Sequence, residues 1–126
     1  MDPDDLDRQC RATRLRGVYL MPTVHNPLGA VMDEPTRLRL IEIARKHDLL
    51  IIEDAAYAFL EPAPPPSLVA LAPERTIHVG SFLKSLGTAL RLGYLIAPPT
   101  QTGGLLEAIR AITWNAPALI SALVSG

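Results

Sequence analysis

The sequence predicts an α/β fold, a mostly parallel sheet flanked by helices, and three observations carry that reading. An apolar run closes on two acids, LLIIED at 49–54, as a strand buried on both faces does in a parallel sheet. Short apolar runs and a helical stripe follow one another in the order strand, helix, strand. Prolines and glycines punctuate the joins, at 22–29, 62–66 and 98–99.

The elements follow in order. VYLM at 18–21 is an apolar run stopped by Pro22, a buried strand. PTVHNPLG then holds two prolines, an asparagine and a glycine, and forms a loop. Asp33 is placed to cap a helix with Pro35 in its first turn. Leu38, Leu40, Ile41 and Ala44 supply the apolar stripe of that helix, which runs to about His47. Arg37, Arg39, Arg45 and Lys46 read as its solvated face. LLIIED is the second strand, TIHVGS at 76–81 the third and LGYLIAP at 92–98 the fourth. The gap from Ser81 to Leu92 is marginal for a parallel crossover, which takes about a dozen residues, so the fourth strand is expected to run antiparallel to the third. Two helices are expected at 105–112 and 118–124, the first capped by Thr102 and the pair divided at 115–117, with Trp114 a core residue.

Composition bounds the function. A chain of 126 residues, 48% hydrophobic and 20% charged, is globular and holds one domain. A net charge of -1 with no basic block gives this segment no footprint for nucleic acid. Cys10 is the single cysteine, so no internal disulfide forms, which fits a reducing cytoplasm. The opening MDPDDLDR is unlike a signal or transit peptide. No apolar run approaches the roughly 20 residues that span a bilayer, and no membrane contact is expected. His25, His47 and His78 lack metal-ligand spacing, and no metal site is expected.

The polar residues collect at one end of the expected sheet. Asn26 follows the first strand, Asp54 ends the second, and Ser81 and Lys84 follow the third. Loops beyond the carboxyl ends of parallel strands form the ligand crevice of such sheets, so these four residues are expected to converge. In GSFLKSLGTALRLGY, at 80–94, Lys84 and Arg91 interrupt an otherwise apolar run. A core excludes both unless they are paired or working.

HNPLG, EDAAY and SFLKSLGTALRLGY resemble, in this order and spacing, the cofactor-binding motifs of fold-type-I pyridoxal-phosphate enzymes. The resemblance is to class I/II aminotransferases, and among them to the aminotransferase-type domain of bacterial MocR/GntR-type regulators and their stand-alone relatives. It runs over residues 15–98. It implies pyridoxal 5'-phosphate as cofactor. Lys84 would hold the aldehyde as a Schiff base and, once released, move the Cα proton of a substrate. That amine must be neutral for either task, and an apolar setting from Phe82, Leu83 and Leu86 would favour this. Asp54 matches the acid that pairs with the pyridine nitrogen, a contact of about 4 kcal/mol at about 4 Å and an effective dielectric near 20. Glu53, its neighbour, would face the other side of the strand. Tyr57 matches the phenol, and Asn26 the amide, that donate to the ring oxygen. Ser81 and Arg91 match phosphate ligands, a hydroxyl and a guanidinium fork.

The sequence departs from the family pattern at Leu83, where a serine is common, at Thr88, where proline is common in MocR-like domains, and in HNPLG for HNPTG. The resemblance further implies a fragment of an aspartate aminotransferase-like large domain. Residues 1–113 would be the partial cofactor domain, and 114–126 the start of a helix leading towards a small domain. The family's phosphate loop, ring-stacking aromatic and carboxylate-binding arginine have no counterpart in these residues. The implied parent reaction is transamination between an amino acid and a 2-oxo acid, in a homodimer. Two alternatives stand beside it: the effector-sensing domain of a MocR/GntR-type regulator lacking its DNA-binding part, and an inactive truncated fragment prone to aggregate through an uncovered sheet. Plainer readings also exist for each residue. Lys84 would be a snorkelling surface lysine, Asp54 and Ser81 strand-end formers, Tyr57 packing, Asn26 a turn residue and Arg91 half of a surface ion pair.

Overall fold

The computed structural model describes residues 1–84, 92–113 and 122. The chain begins with a helix absent from the expected elements, α1 (Pro3–Ala12). Asp2 caps it by accepting from the Asp4 amide at 2.9 Å, and Pro3 opens it. Strand β1 (Gly17–Leu20) follows, then helix α2 (Glu34–Lys46), capped by Asp33 through the Thr36 amide at 3.0 Å. Beyond the His47 C-cap, Asp48 turns the chain left-handed, φ 52°, where a short polar side chain is tolerated. Strand β2 (Leu50–Asp54), a 3-10 turn (Ala58–Leu60), the short helix α3 (Leu68–Leu71) and strand β3 (Thr76–Ser81) come next. Strand β4 (Gly93–Ile96) and helix α4 (Pro99–Thr113) close the described order.

The four strands form one mixed sheet in the order β1-β2-β3-β4, the α/β arrangement expected. β1, β2 and β3 are parallel, with Tyr19 opposite Ile52 and Glu53 opposite His78. β4 runs antiparallel to β3, with Gly80 opposite Tyr94. That is the direction the length of the connection favoured. Gly80 has a steric reason to be glycine: an added Cβ would lie 2.1 Å from the Tyr94 ring. That ring also meets His78 and Phe82, at centroid distances of 6.1 and 5.3 Å.

The core lies on one side of the sheet. Val18, Leu20 and Ile51 meet Leu6 of α1, Leu40, Ile41, Ile43 and Ala44 of α2, and Leu68 of α3. Each such valine, leucine or isoleucine contributes about 1.5–3 kcal/mol relative to exposure. The other face is open at β1 and β2, where Tyr19 is 57% and Ile52 36% exposed. LLIIED was expected to be covered on both faces. Among the described residues α1, α2 and α3 cover only the face of Ile51 and Glu53.

Three further expectations are corrected. Leu38 does not belong to the α2 stripe; it is exposed, and Ile43 takes its place. Arg37 does not belong to the solvated face, because it is fully buried. The first of the late helices starts at Pro99, not Leu105, so Thr102 lies inside it, donating through Oγ1 to the Pro98 carbonyl at 3.2 Å. The second late helix, with the 115–117 division and Trp114, lies outside the described residues. Among the described residues no helix is long and apolar enough to cross a membrane.

Candidate active site

Three parallel strands end side by side, and each delivers a different functional group. The loop after β1 carries Asn26, exposed to solvent. Backbone bonds hold this loop: Gly29 N–H to the His25 carbonyl at 2.6 Å, His25 N–H to Ala30 at 2.9 Å and Met32 N–H to Pro22 at 2.8 Å. Gly29 sits at φ +65°, a conformation a Cβ disfavours, which explains the glycine of HNPLG. Val24 also has positive φ, 56°, a strained state for a β-branched residue costing about 1–3 kcal/mol. Arg37 clamps the chain on both sides of it. Its guanidinium donates to the Pro22 carbonyl at 3.1 Å, Thr23 Oγ1 at 3.0 Å and the Met32 carbonyl at 3.0 Å. It also reaches the Pro65 and Pro66 carbonyls at 3.4 and 3.1 Å. Burial pulls this guanidinium below its ordinary pKa, against the charges of Glu53 and Glu34.

Asp54 ends β2 on the open face, half-buried. Its Oδ1 accepts from the Ala56 amide at 2.9 Å, and its Oδ2 accepts from the Tyr19 hydroxyl. The Tyr19 phenol is pushed up to about 12 by this hydrogen bond, with burial and the Asp54 charge adding to it. Glu53, one residue earlier, points the other way. It accepts from the Leu68 and Val69 amides at 2.8 and 3.1 Å, so it caps α3, and it pairs with His78 Nδ1 at 2.8 Å. Burial alone would raise its pKa; the His78 bond and the two amides outweigh that and hold it below the usual carboxylate range.

Tyr57 precedes the 3-10 turn, half-buried, and the Lys84 ammonium lies 5.7 Å from its ring centroid. Ser81 ends β3 and accepts from the Leu83 amide at 3.3 Å. Lys84 itself is exposed. Phe82 and Leu83, two of the residues expected to give it an apolar setting, are half-buried. Leu86, Thr88 and Arg91 lie outside the described residues.

Asn26, Asp54, Tyr57, Ser81 and Lys84 therefore all stand at the carboxyl ends of β1, β2 and β3, with direct proximity established for Lys84 and Tyr57. A separate concavity at the opposite end of the sheet, against Arg14, Arg16, His47, Arg75 and Gln101, includes none of them. Tyr19, Glu53, His78 and Arg37 were not singled out as site or scaffold residues. Alternation together with the β1–β2 register puts Tyr19 on the face of Asp54, one strand away.

Comparison with known proteins identifies the family and the fold. The sequence pattern of the family Aminotransferase class I and II matches residues 1–125. The HTH-type transcriptional regulator YdeF of Bacillus subtilis is 33% identical over 125 residues, 99% of this chain and 27% of that protein. The 2-aminoadipate transaminase of Thermus thermophilus is 33% identical over 129 residues, 98% of this chain and 32% of that protein. The crystal structure of LysN, the alpha-aminoadipate aminotransferase of Thermus thermophilus, complexed with N-(5'-phosphopyridoxyl)-L-leucine, superposes with a TM-score of 0.90 at 33% identity. It covers 98% of this chain and 33% of that one. The chain thus spans about a third or less of the length of these relatives, and on its sequence and its fold it belongs to the class I and II aminotransferase family.

Proposed function

We propose that this chain carries the pyridoxal-5'-phosphate-binding portion of an aminotransferase acting on an amino acid and a 2-oxo acid. The observation that carries the reading is the set of groups at one end of the sheet: a pinned carboxylate at Asp54, a phenol at Tyr57 and a primary amine at Lys84 close to that phenol. This donor set fits an aromatic aldehyde with a basic ring nitrogen. When bound, that coenzyme supplies a sink for the charge that develops at the Cα of an amino acid.

The chain's own residues divide the work. Asp54 would face the ring nitrogen and favour its protonated form. Tyr57 and Asn26 donate to the ring oxygen. The hydroxyl of Ser81 and the guanidinium of Arg91 hold the phosphate. Lys84 would hold the aldehyde through its amine, and the same amine would be the group that moves a proton at Cα. Residues 1–113 form this partial cofactor domain, 114–126 lead towards a further domain, and the parent is a cytoplasmic homodimer.

A simple count sharpens the test. The chain has only two lysines, Lys46 and Lys84, and Lys46 is tied to Asp7 at 2.8 Å. Titration with pyridoxal phosphate is expected to give a visible absorbance band, and borohydride followed by peptide mapping to place the label on Lys84. Lys84→Ala abolishes the band. No band from the unsubstituted chain, or label on Lys46 or the N-terminus, refutes the assignment.

The similarity to YdeF over 99% of the chain supports a second reading, an effector-sensing domain of a transcriptional regulator. Adding amino donors to the longer parent protein separates the two. Release of a 2-oxo acid marks the enzyme, and binding without turnover marks the sensor.

A further inference from the structure

We propose that Tyr19 is a positioning residue that fixes the Asp54 carboxylate for the coenzyme's ring nitrogen, an inference that rests on the role given to Asp54 above. Tyr19 lies on β1, opposite Ile52, so its side chain emerges on the open face two residues short of Asp54 along the neighbouring strand. Its hydroxyl crosses to β2 and donates to Asp54 Oδ2, while the Ala56 amide holds Oδ1 at 2.9 Å. Both oxygens are thereby anchored, and each keeps a lone pair for another donor. Packing does not account for the tyrosine, since it is 57% exposed. Its hydroxyl has the more specific task, linking two strands through a side chain 35 residues away.

An aspartate at a strand end has several rotamers open to it. One held from two sides has already given up that freedom, so less is lost when a cationic ring docks. The phenol is also a dependable donor. The carboxylate beside it raises its pKa to about 12, so it keeps its proton at any pH where the protein works.

The test is a cycle of four proteins: the unsubstituted chain, Tyr19→Phe, Asp54→Ala and the double variant, each titrated with pyridoxal phosphate by absorbance. Tyr19→Phe keeps the ring and removes only the hydroxyl, and the urea midpoint of each variant checks that the fold is intact. Tyr19→Phe is expected to weaken coenzyme binding about ten-fold, the loss of one hydrogen bond to a charged group. In the Asp54→Ala background the same substitution is expected to have no further effect, because its target is gone. An equal loss in both backgrounds would make Tyr19 an ordinary structural residue and overturn the proposal. So would an unchanged affinity for Tyr19→Phe. If the unsubstituted chain itself binds no coenzyme, the functional reading fails and this inference falls with it. That outcome is distinct, because all four proteins would then be alike.

Discussion

Arg37 is a charged group inside the protein whose hydrogen-bond partners among the described residues are backbone carbonyls and one hydroxyl, with no carboxylate. It joins the loop of Asn26, at Pro22, Thr23 and Met32, to the proline-rich segment at Pro65 and Pro66. Arg37→Ala removes five donors and leaves those acceptors dry, so unfolding in urea is expected to show a loss of about 3 kcal/mol. Arg37→Lys recovers less than half, because an ammonium cannot reproduce the planar fork. Glu53 makes a pH-dependent contribution of known sign. Its folded pKa is below the ordinary 4.5, so its stabilisation is present above that value and lost as pH falls towards the lowered one. The urea midpoint of the native chain is expected to drop more steeply between about pH 5 and pH 3 than that of Glu53→Gln. The identity of Arg37 as a scaffold residue was not legible in sequence. It stands among Arg39, Arg45 and Lys46, which do face solvent, and only the three-dimensional path of the 22–32 loop pulls one guanidinium inward. The position of Asp54 was legible because an acid closing an apolar run marks the carboxyl end of the strand.

At the scale of elements, the β3–β4 pair rests on a tyrosine lying across a glycine. Gly80→Ala forces a methyl into the Tyr94 ring and is expected to lower stability by about 1–3 kcal/mol in thermal or urea unfolding. The cost should largely vanish in a Tyr94→Ala background, where the obstruction is gone. The strands and their directions were readable from apolar runs and loop lengths. Helix α1 was not assigned, although Asp2, Pro3 and two following acids spell a helix start. Its apolar contribution is thin; Leu6 is its one buried hydrophobic residue. What fixes it is Asp7, which accepts from Arg11 Nη2 at 2.5 Å and Lys46 at 2.8 Å and pairs with His47 at 2.6 Å. Those partners, 39 and 40 residues away for Lys46 and His47, are invisible to local pattern.

At the scale of the molecule, one face of the sheet is covered and the other is open at β1 and β2. Ile52 on that face and Leu95 at the β4 edge are both more than a third exposed, alongside Tyr94 and Ile96. Such a surface promotes association. Light scattering is expected to show an apparent mass that rises with concentration, and Ile52→Lys with Leu95→Lys to suppress it. A constant monomer mass across a hundred-fold dilution would contradict this. The general position of the candidate site was legible, since parallel strands gather their carboxyl ends on one side. The exposure of Lys84 was not, because an apolar neighbour in the linear order does not say how much of the amine it covers.

The adjacent acids of β2 have one more consequence. Glu53 reaches into the core to meet α3, and Asp54 stays on the open side. Were β2 to slide by one residue against its neighbours, the two would trade faces of the sheet. The shorter aspartate would then be turned towards α3 and fall a methylene short of its amides, and the glutamate would stand on the open face away from them. Two unequal arms on opposite sides thus work as a key cut for a single alignment. The same dipeptide that serves the open face also proofreads the pairing of the strand that presents it.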